Sequence, residues 1–334
     1  MAKLTFENLF DKIRSGKYEP VYFLEGEEPY YIDLITGYLA ENVLNESEKA
    51  FNQSVVYGRD TTIRDIITMA RRFPMMSPLQ LIIVKEAQLM KSFDGIEHYL
   101  EQPMQTTVLV FAYKYKKIDK RTRAGKAITE KCLVFESDKV REDKIPAWID
   151  TFLSAKGAVI EPKAAVMLTE FLGNDLSKLS NELEKLLIIL PGGTKRINTT
   201  HIEQNIGISK DFNNFELTNA LTNRDVVKAN RIIRYFGNNQ RSNPYVLTIS
   251  ALFYYFSKIL LYHGLKDKSR SNVAGELGIN PYFVAEYQKA AQTFSLSKVR
   301  QIITFLREYD LKNKGGSTAS EEDLLKELIY KILH

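Results

Sequence analysis

Pro20-Val21-Tyr22-Phe23-Leu24-Glu25-Gly26-Glu27-Glu28-Pro29-Tyr30-Tyr31-Ile32 is a compact apolar run that stops at a glycine and passes into a segment with helical spacing. An apolar run without polar alternation suits a strand buried on both faces. Tyr31, Ile32, Ile35, Leu39 and Val43 then recur at the spacing of one helix face. Strand, glycine turn and helix is also the frame of a phosphate-binding loop, G-x-x-x-x-G-K-[ST]. In such a loop backbone amides cradle phosphates, Lys reaches the terminal ones and the hydroxyl holds Mg²⁺. Here there is one glycine, no Lys, and no Ser or Thr after it. Glu25, Glu27 and Glu28 crowd the turn with negative charge, and Pro29 removes an amide donor. Gly26, Glu27 and Glu28 therefore read as a degenerate loop at which no nucleotide is expected.

Working outward, Ser54-Val55-Val56-Tyr57, Leu81-Ile82-Ile83-Val84, Thr107-Val108-Leu109-Val110-Phe111 and Cys132-Leu133-Val134-Phe135 are further short strands. Between the first two, Thr61 or Thr62 can cap a helix through Ile63, Ile66, Ile67 and Ala70. Strands alternating with helices predict a parallel sheet covered on both faces, an α/β domain over residues 1–140. In a working NTPase the strand 81–84 would end in Asp-Glu, but Lys85 stands where the metal-binding Asp would be. Glu86 alone then reads as a solvated carboxylate at a helix start.

After residue 140 the strand signal vanishes. Residues 145–155, a helix opening at Pro162 and ended by Gly173, and an amphipathic helix from Asp175 to Leu190 stopped by Pro191-Gly192-Gly193 form a small helical module over 141–210. Residues 211–334 read as helical throughout. The expected fold class is thus α/β plus all-α.

The length of 334 residues suits two or three domains. The net charge of +5 lies entirely in 211–334, which hold 17 basic and 12 acidic side chains; 1–140 and 141–210 are each balanced. One cysteine, Cys132, rules out an intramolecular disulfide framework or a Cys-rich zinc site. The scattered His98, His201, His263 and His334 offer no metal-ligand spacing, so neither a metal nor a cofactor is expected. No run approaches about 18 consecutive apolar residues, and MAKLTFENLF lacks a secretory signal pattern, so a cytoplasmic chain with no membrane partner is expected. No catalytic set stands out, and an active AAA+ ATPase or helicase remains the enzymatic alternative.

The layout of α/β domain, helical lid and helical bundle is that of AAA+ clamp-loader subunits, and the whole chain resembles one family of them. That family is the delta subunit of the bacterial DNA polymerase III clamp loader. The resemblance rests on Pro20 to Ile32, on Arg72-Phe73-Pro74-Met75-Met76-Ser77 leading into Leu81 to Lys85, and on Gly173-Asn174-Asp175-Leu176-Ser177-Lys178-Leu179. Asn181 to Leu186, Phe215 to Leu221 and Asp310 to Gly315 continue it in order.

The resemblance implies an AAA+-like domain at 1–140 without a functional P-loop, a lid at 141–210 and an oligomerisation collar at 211–334. It implies binding and opening of the sliding clamp (beta) for loading onto primed DNA, with no ATP hydrolysis by this chain. The ATP-binding tau/gamma subunits and delta-prime are the implied partners, and the isolated chain is expected to be a monomer. Polymerase activity would belong to the holoenzyme. The family's clamp-binding element maps onto Phe73, Pro74, Met75 and Met76, with the two methionines at the anchor positions. Two adjacent large apolar side chains flanked by prolines cannot both face one core from a regular helix. The alternative is that they cap the local core. Lys114, Lys116, Lys117, Lys120 and Arg121, interleaved with Tyr113 and Tyr115, are candidate DNA contacts; a solvated helix start is the competing reading. A nucleic-acid-binding scaffold that never meets a clamp is the remaining alternative.

Overall fold

The computed structural model describes residues 4–190, 196–206, 209, 211–316 and 318–334. They divide into two compact units, Met1–Val140 and Arg141–His334.

The first unit contains five strands: β1 (Val21–Gly26), β2 (Gln53–Tyr57), β3 (Gln80–Lys85), β4 (Thr107–Lys114) and β5 (Leu133–Glu136). They form one parallel sheet in the order β2-β3-β4-β1-β5. Six helices accompany it: α1 (Phe6–Arg14), α2 (Pro29–Asn42), α3 (Glu46–Asn52), α4 (Ile63–Ala70), α5 (Ile96–Leu100) and α6 (Arg123–Lys131).

The period of two explains why β1, β3 and β4 read as unbroken apolar runs. Phe23, Ile82, Val84, Leu109 and Phe111 face a core with Ile66 of α4, Tyr99 of α5 and Ile128 of α6. Their neighbours Tyr22, Leu24, Leu81, Ile83, Val108 and Val110 face a second core with Leu9 of α1 and Ile32, Ile35 and Leu39 of α2. Thr62 caps α4: its hydroxyl accepts the Asp65 N–H at 3.3 Å and the Asp65 carboxylate accepts the Thr62 N–H at 3.2 Å. The chain runs from β1 to the far edge, works back to β4, and crosses to β5 on the other side. The carboxyl end of β1 therefore lies where the strand order reverses, the usual ligand crevice of such a sheet.

The second unit is helical: α7 (Ile145–Ala155), α8 (Pro162–Leu172), α9 (Leu176–Ile189), α10 (Thr199–Ile206), α11 (Asn214–Thr222), α12 (Val226–Asn238), α13 (Tyr245–Gly264), α14 (Arg270–Leu277), α15 (Val284–Thr293), α16 (Leu296–Leu311) and α17 (Glu321–Leu333). Strand signal does not vanish altogether, because β6 (Val159–Ile160) pairs in parallel with β7 (Arg196–Ile197). Two residues are too short to show alternation. Gly173, at φ +65°, ends α8 as expected; the stop at Pro191-Gly192-Gly193 falls outside the described residues. One apolar core runs through α11 to α17 and includes Ile233, Phe256, Phe294, Ile302 and Leu328.

By length and composition α13 could cross a membrane, but half of its apolar stretch is buried within the protein. Tyr255 and Phe256 enter the core, whereas Val246, Phe253, Tyr254 and Leu261 on the same helix are exposed.

Candidate functional site

The turn after β1 is filled from within. Gly26 has φ +137°, and a Cβ there would lie 2.0 Å from the Ser137 carbonyl oxygen. The Gly26 N–H donates to the Lys116 carbonyl at 3.1 Å, and the Glu28 N–H to the Ser137 carbonyl at 3.1 Å. The Ser137 hydroxyl donates to the Glu28 carbonyl at 2.7 Å. At the start of α2, the Glu28 carboxylate accepts the Tyr30 N–H at 3.0 Å. A protein carboxyl group thus occupies the helix N-terminus that would otherwise attract a phosphate. These amides are committed to protein carbonyls and a protein carboxylate.

Glu25 lies beneath this turn, fully buried, where it accepts the Ile118 N–H at 2.7 Å. Burial raises its carboxyl above the ordinary value near 4.5, opposed by the Ile118 N–H and by Lys120. The folded chain therefore holds this proton more tightly than the unfolded chain. The stability from this group is fully present below the unfolded value and is lost as pH rises through the folded one. Glu25→Gln, which keeps an acceptor for Ile118 and carries no charge, should gain stability relative to wild type as pH rises from 4.5 towards 7. Urea unfolding across that range reads the difference, and a constant offset would show that Glu25 does not titrate on folding.

At the end of β3, Glu86 has φ +51° and meets Lys114 at 3.3 Å and the Gln88 side-chain amide. It stands at the start of a short 3₁₀ helix, Ala87–Leu89, as read from the sequence, but its side chain is a partly buried ion-pair partner rather than a solvated one. Lys114 also meets Asp33 at 2.7 Å, and its side chain is largely buried. The other cations of the basic run are answered locally. Lys117 meets Glu136 at 2.9 Å and Asp138 at 2.8 Å, and Lys120 meets Glu136 at 2.6 Å. Arg121 meets Asp119 at 2.8 Å, and Lys116 lies over the Tyr113 ring at 5.5 Å. Tyr113 itself is buried against Phe23, and Tyr115 is exposed. Glu136 and Asp33 are remote in sequence from the run, so its composition conceals this neutralisation.

Between α4 and β3 the chain forms an irregular tip. Phe73 is 77% exposed, Met75 61%, and Met76 fully so. Met76 is left-handed, with φ +52°, an uncommon conformation for a non-glycine residue. The base of the tip is tied to the sheet. The Gln80 side-chain amide donates to the carbonyls of Arg72 at 2.5 Å and Ala70 at 3.3 Å, and to the Thr107 hydroxyl at 2.8 Å. Thr107 in turn donates to the Ala70 carbonyl at 2.8 Å. The Ser77 hydroxyl closes the far side on the Leu79 carbonyl at 3.0 Å. The crown is held by Asn52, the last residue of α3. Its side-chain oxygen accepts the Met75 N–H at 2.6 Å and its NH₂ donates to the Met75 carbonyl at 2.9 Å. The methionines do not cap a core. They stand in water on a braced turn, an arrangement that lowers the ordering cost of binding. Sequence reasoning missed Asn52, and a polar residue ahead of an edge strand offered no signal for it.

A separate cleft of about 710 Å³ lies wholly within the helical unit, lined by Glu170, Tyr254, Tyr255, Lys258, Glu286 and Tyr287 among others. Burial pushes the Glu170 carboxyl up to about 8 and the Lys258 ammonium down to about 8.

The sequence pattern described as "DNA polymerase III, delta subunit" matches residues 22–138, and that described as "DNA polymerase III delta subunit, C-terminal domain" matches residues 211–332. The chain belongs to the DNA polymerase III delta-subunit family. The Bacillus subtilis (strain 168) DNA polymerase III subunit delta is 25% identical, over 96% of this chain and 94% of that protein. In fold, this delta-family chain is similar to the solved Bacillus subtilis DNA clamp loader delta protein, with a TM-score of 0.52 and 22% identity over 98% of this chain and 99% of that one. Its architecture is a parallel α/β core followed in sequence by a helical region. The degenerate turn and the exposed tip both lie inside the residues matched by the first delta pattern.

Proposed function

We propose that this chain grips the ring-shaped sliding clamp in a DNA polymerase III clamp loader and opens, or holds open, one interface of the ring for loading onto primed DNA. The observation that carries the reading is the tip, where Phe73, Met75 and Met76 stand exposed on a braced turn with Pro74 between them. Burying such side chains in a groove yields roughly 1.5–3 kcal/mol each, and the unbranched methionines adapt to irregular pockets. Titration of the purified chain with its sliding clamp tests the reading; absence of binding would remove it.

We further propose that residues 1–140 carry the clamp contact, 141–210 act as the lid and 211–334 as the collar, where tau/gamma and delta-prime complete a ring of helices. The exposed apolar side chains of α13 support a face that other subunits cover. Contact with DNA through Lys114, Lys116, Lys117, Lys120 and Arg121 belongs to the same proposal, with Lys116 best placed, because Lys114 and Lys117 are each held between two carboxylates and Lys120 and Arg121 each pair with one. The setting is the cytoplasm, and the isolated chain is a monomer.

The chain does not hydrolyse ATP in this reading. Its supports are the amides committed at Gly26 and Glu28 and the Glu28 carboxylate at the α2 N-terminus. Millimolar Mg·ATP should leave the thermal midpoint unshifted and give no calorimetric signal. A saturable shift that Glu28→Gln enhances would overturn this part of the proposal.

A further inference from the structure

The tip has two levels of support, and they act on different atoms. Gln80 and Thr107 fix its base, through the carbonyls of Ala70 and Arg72. The crown is tied at a distance of 23 residues in sequence by Asn52, whose one primary amide meets both backbone groups of Met75. This pairing resembles one rung of a sheet ladder supplied by a side chain. Asn52 is 5% exposed and is anchored by a third bond of its amide, from Nδ2 to the Glu48 carbonyl at 3.2 Å.

The residue type is specific to the task. A primary amide alone offers a donor and an acceptor side by side. An aspartate has no donor, a leucine has neither group, and a glutamine is one methylene too long for the same geometry. The residue immediately after the held one is Met76, in the left-handed region. That conformation is strained for an L-residue and persists only where its surroundings over-determine it. Fixing both polar groups of Met75 sets the direction from which the chain enters Met76. It thereby sets the angle at which two adjacent apolar side chains diverge into solvent.

We infer that Asn52, which makes no claim to touch the partner, is the positioning residue of the clamp-binding tip: its amide holds the Met75 backbone so that Met75 and Met76 are presented in their bound geometry before binding. This rests on the tip reading above, and the experiment keeps the two apart. Asn52→Ala, in the full chain, should weaken binding to the purified sliding clamp roughly tenfold, because the tip must then be ordered on binding. In hydrogen exchange the Met75 amide should lose its protection while the amides of β3 and β4 keep theirs, a pattern that general destabilisation would not produce.

Asn52→Asp keeps the acceptor, loses the donor and sets a carboxylate against the Met75 carbonyl; it should move both readouts in the same direction. If Asn52→Ala does not fold, Asn52→Asp decides by the same two measurements. The wild-type chain gives a third test: a Met75 amide exchanging as fast as an open loop overturns the inference without any variant. Should Met75→Ala with Met76→Ala weaken binding while Asn52→Ala or Asn52→Asp binds as wild type, the positioning role is refuted and the tip reading stands. Should the methionine variant bind as wild type, the tip reading itself fails and the inference falls with it.

Discussion

Replacing Met75 and Met76 together by alanine is expected to weaken binding to the sliding clamp by about 3 kcal/mol, roughly a hundredfold in Kd. Far-UV circular dichroism and the unfolding midpoint should stay at wild-type values. Both halves of the expectation follow from exposure. Neither side chain contributes to a core of the folded chain, so removing them leaves no internal cavity. In a complex both would be desolvated at once, and adjacent anchors on a braced turn are where interface energy concentrates. Backbone geometry does not obscure the comparison: alanine at 76 meets the same left-handed penalty as methionine, and the Asn52 bonds go to main-chain atoms that the substitution leaves in place. Calorimetric titration with the clamp reads the affinity. A loss of less than about threefold would move the hot spot elsewhere, with Phe73 the first residue to try.

Gly26→Ala should cost about 4 kcal/mol of folding stability, the upper end for single substitutions. Two independent penalties meet there. At φ +137° an L-residue is strained whatever the space around it. The new methyl would also stand 2.0 Å from the Ser137 carbonyl oxygen, a backbone atom that cannot rotate away. Relief by moving Ser137 would loosen the bonds from its carbonyl to the Glu28 N–H and from its N–H to the Glu25 carbonyl at 2.7 Å. Urea unfolding measures the effect. A cost under about 1 kcal/mol would mean that the β5 end does not close over the turn as described, and the argument against a phosphate cradle would weaken with it.

Much of the α/β unit was legible before any coordinates. The five apolar runs became the five strands; the central ones, β1, β3 and β4, are apolar at odd and even positions alike because both faces of the sheet are covered there, whereas edge strand β2 leaves Val55 and Tyr57 exposed. Thr62, one of two possible caps, was found by its place before the periodic residues. The short helices α1 and α3 were not anticipated: α3 is brief and polar and forms behind an Asn45–Glu48 capping box, whereas α1 does carry a helical signal, Phe6, Leu9, Phe10 and Ile13 on one face, that went unread. The tip was legible as an oddity, since two methionines between prolines fit no regular element. Its bracing was not, because Asn52, Gln80 and Thr107 act through side-chain bonds to backbone atoms as many as 37 residues away. Gly26 shows the limit most plainly. A lone glycine counted as the remnant of a missing motif, whereas its own requirement is the close approach of Ser137, 111 positions on. The basic run likewise looked charged because all but one of the carboxylates that answer it, Asp119, come from outside it.

The bracing of the tip has a consequence for timing. A grip that is assembled by internal bonds of the free chain, at the opposite end of the sheet from a turn whose amides are already committed, has no catch of its own to release. In the proposed role its readiness would be constant, and no contact among the described residues of the α/β unit would distinguish a moment to seize the ring from a moment to let go. Any such moment would have to be imposed by a neighbour that covers Phe73, Met75 and Met76 and later withdraws. The chain would serve the loader as a standing hook, and the clock that governs it would run in other subunits.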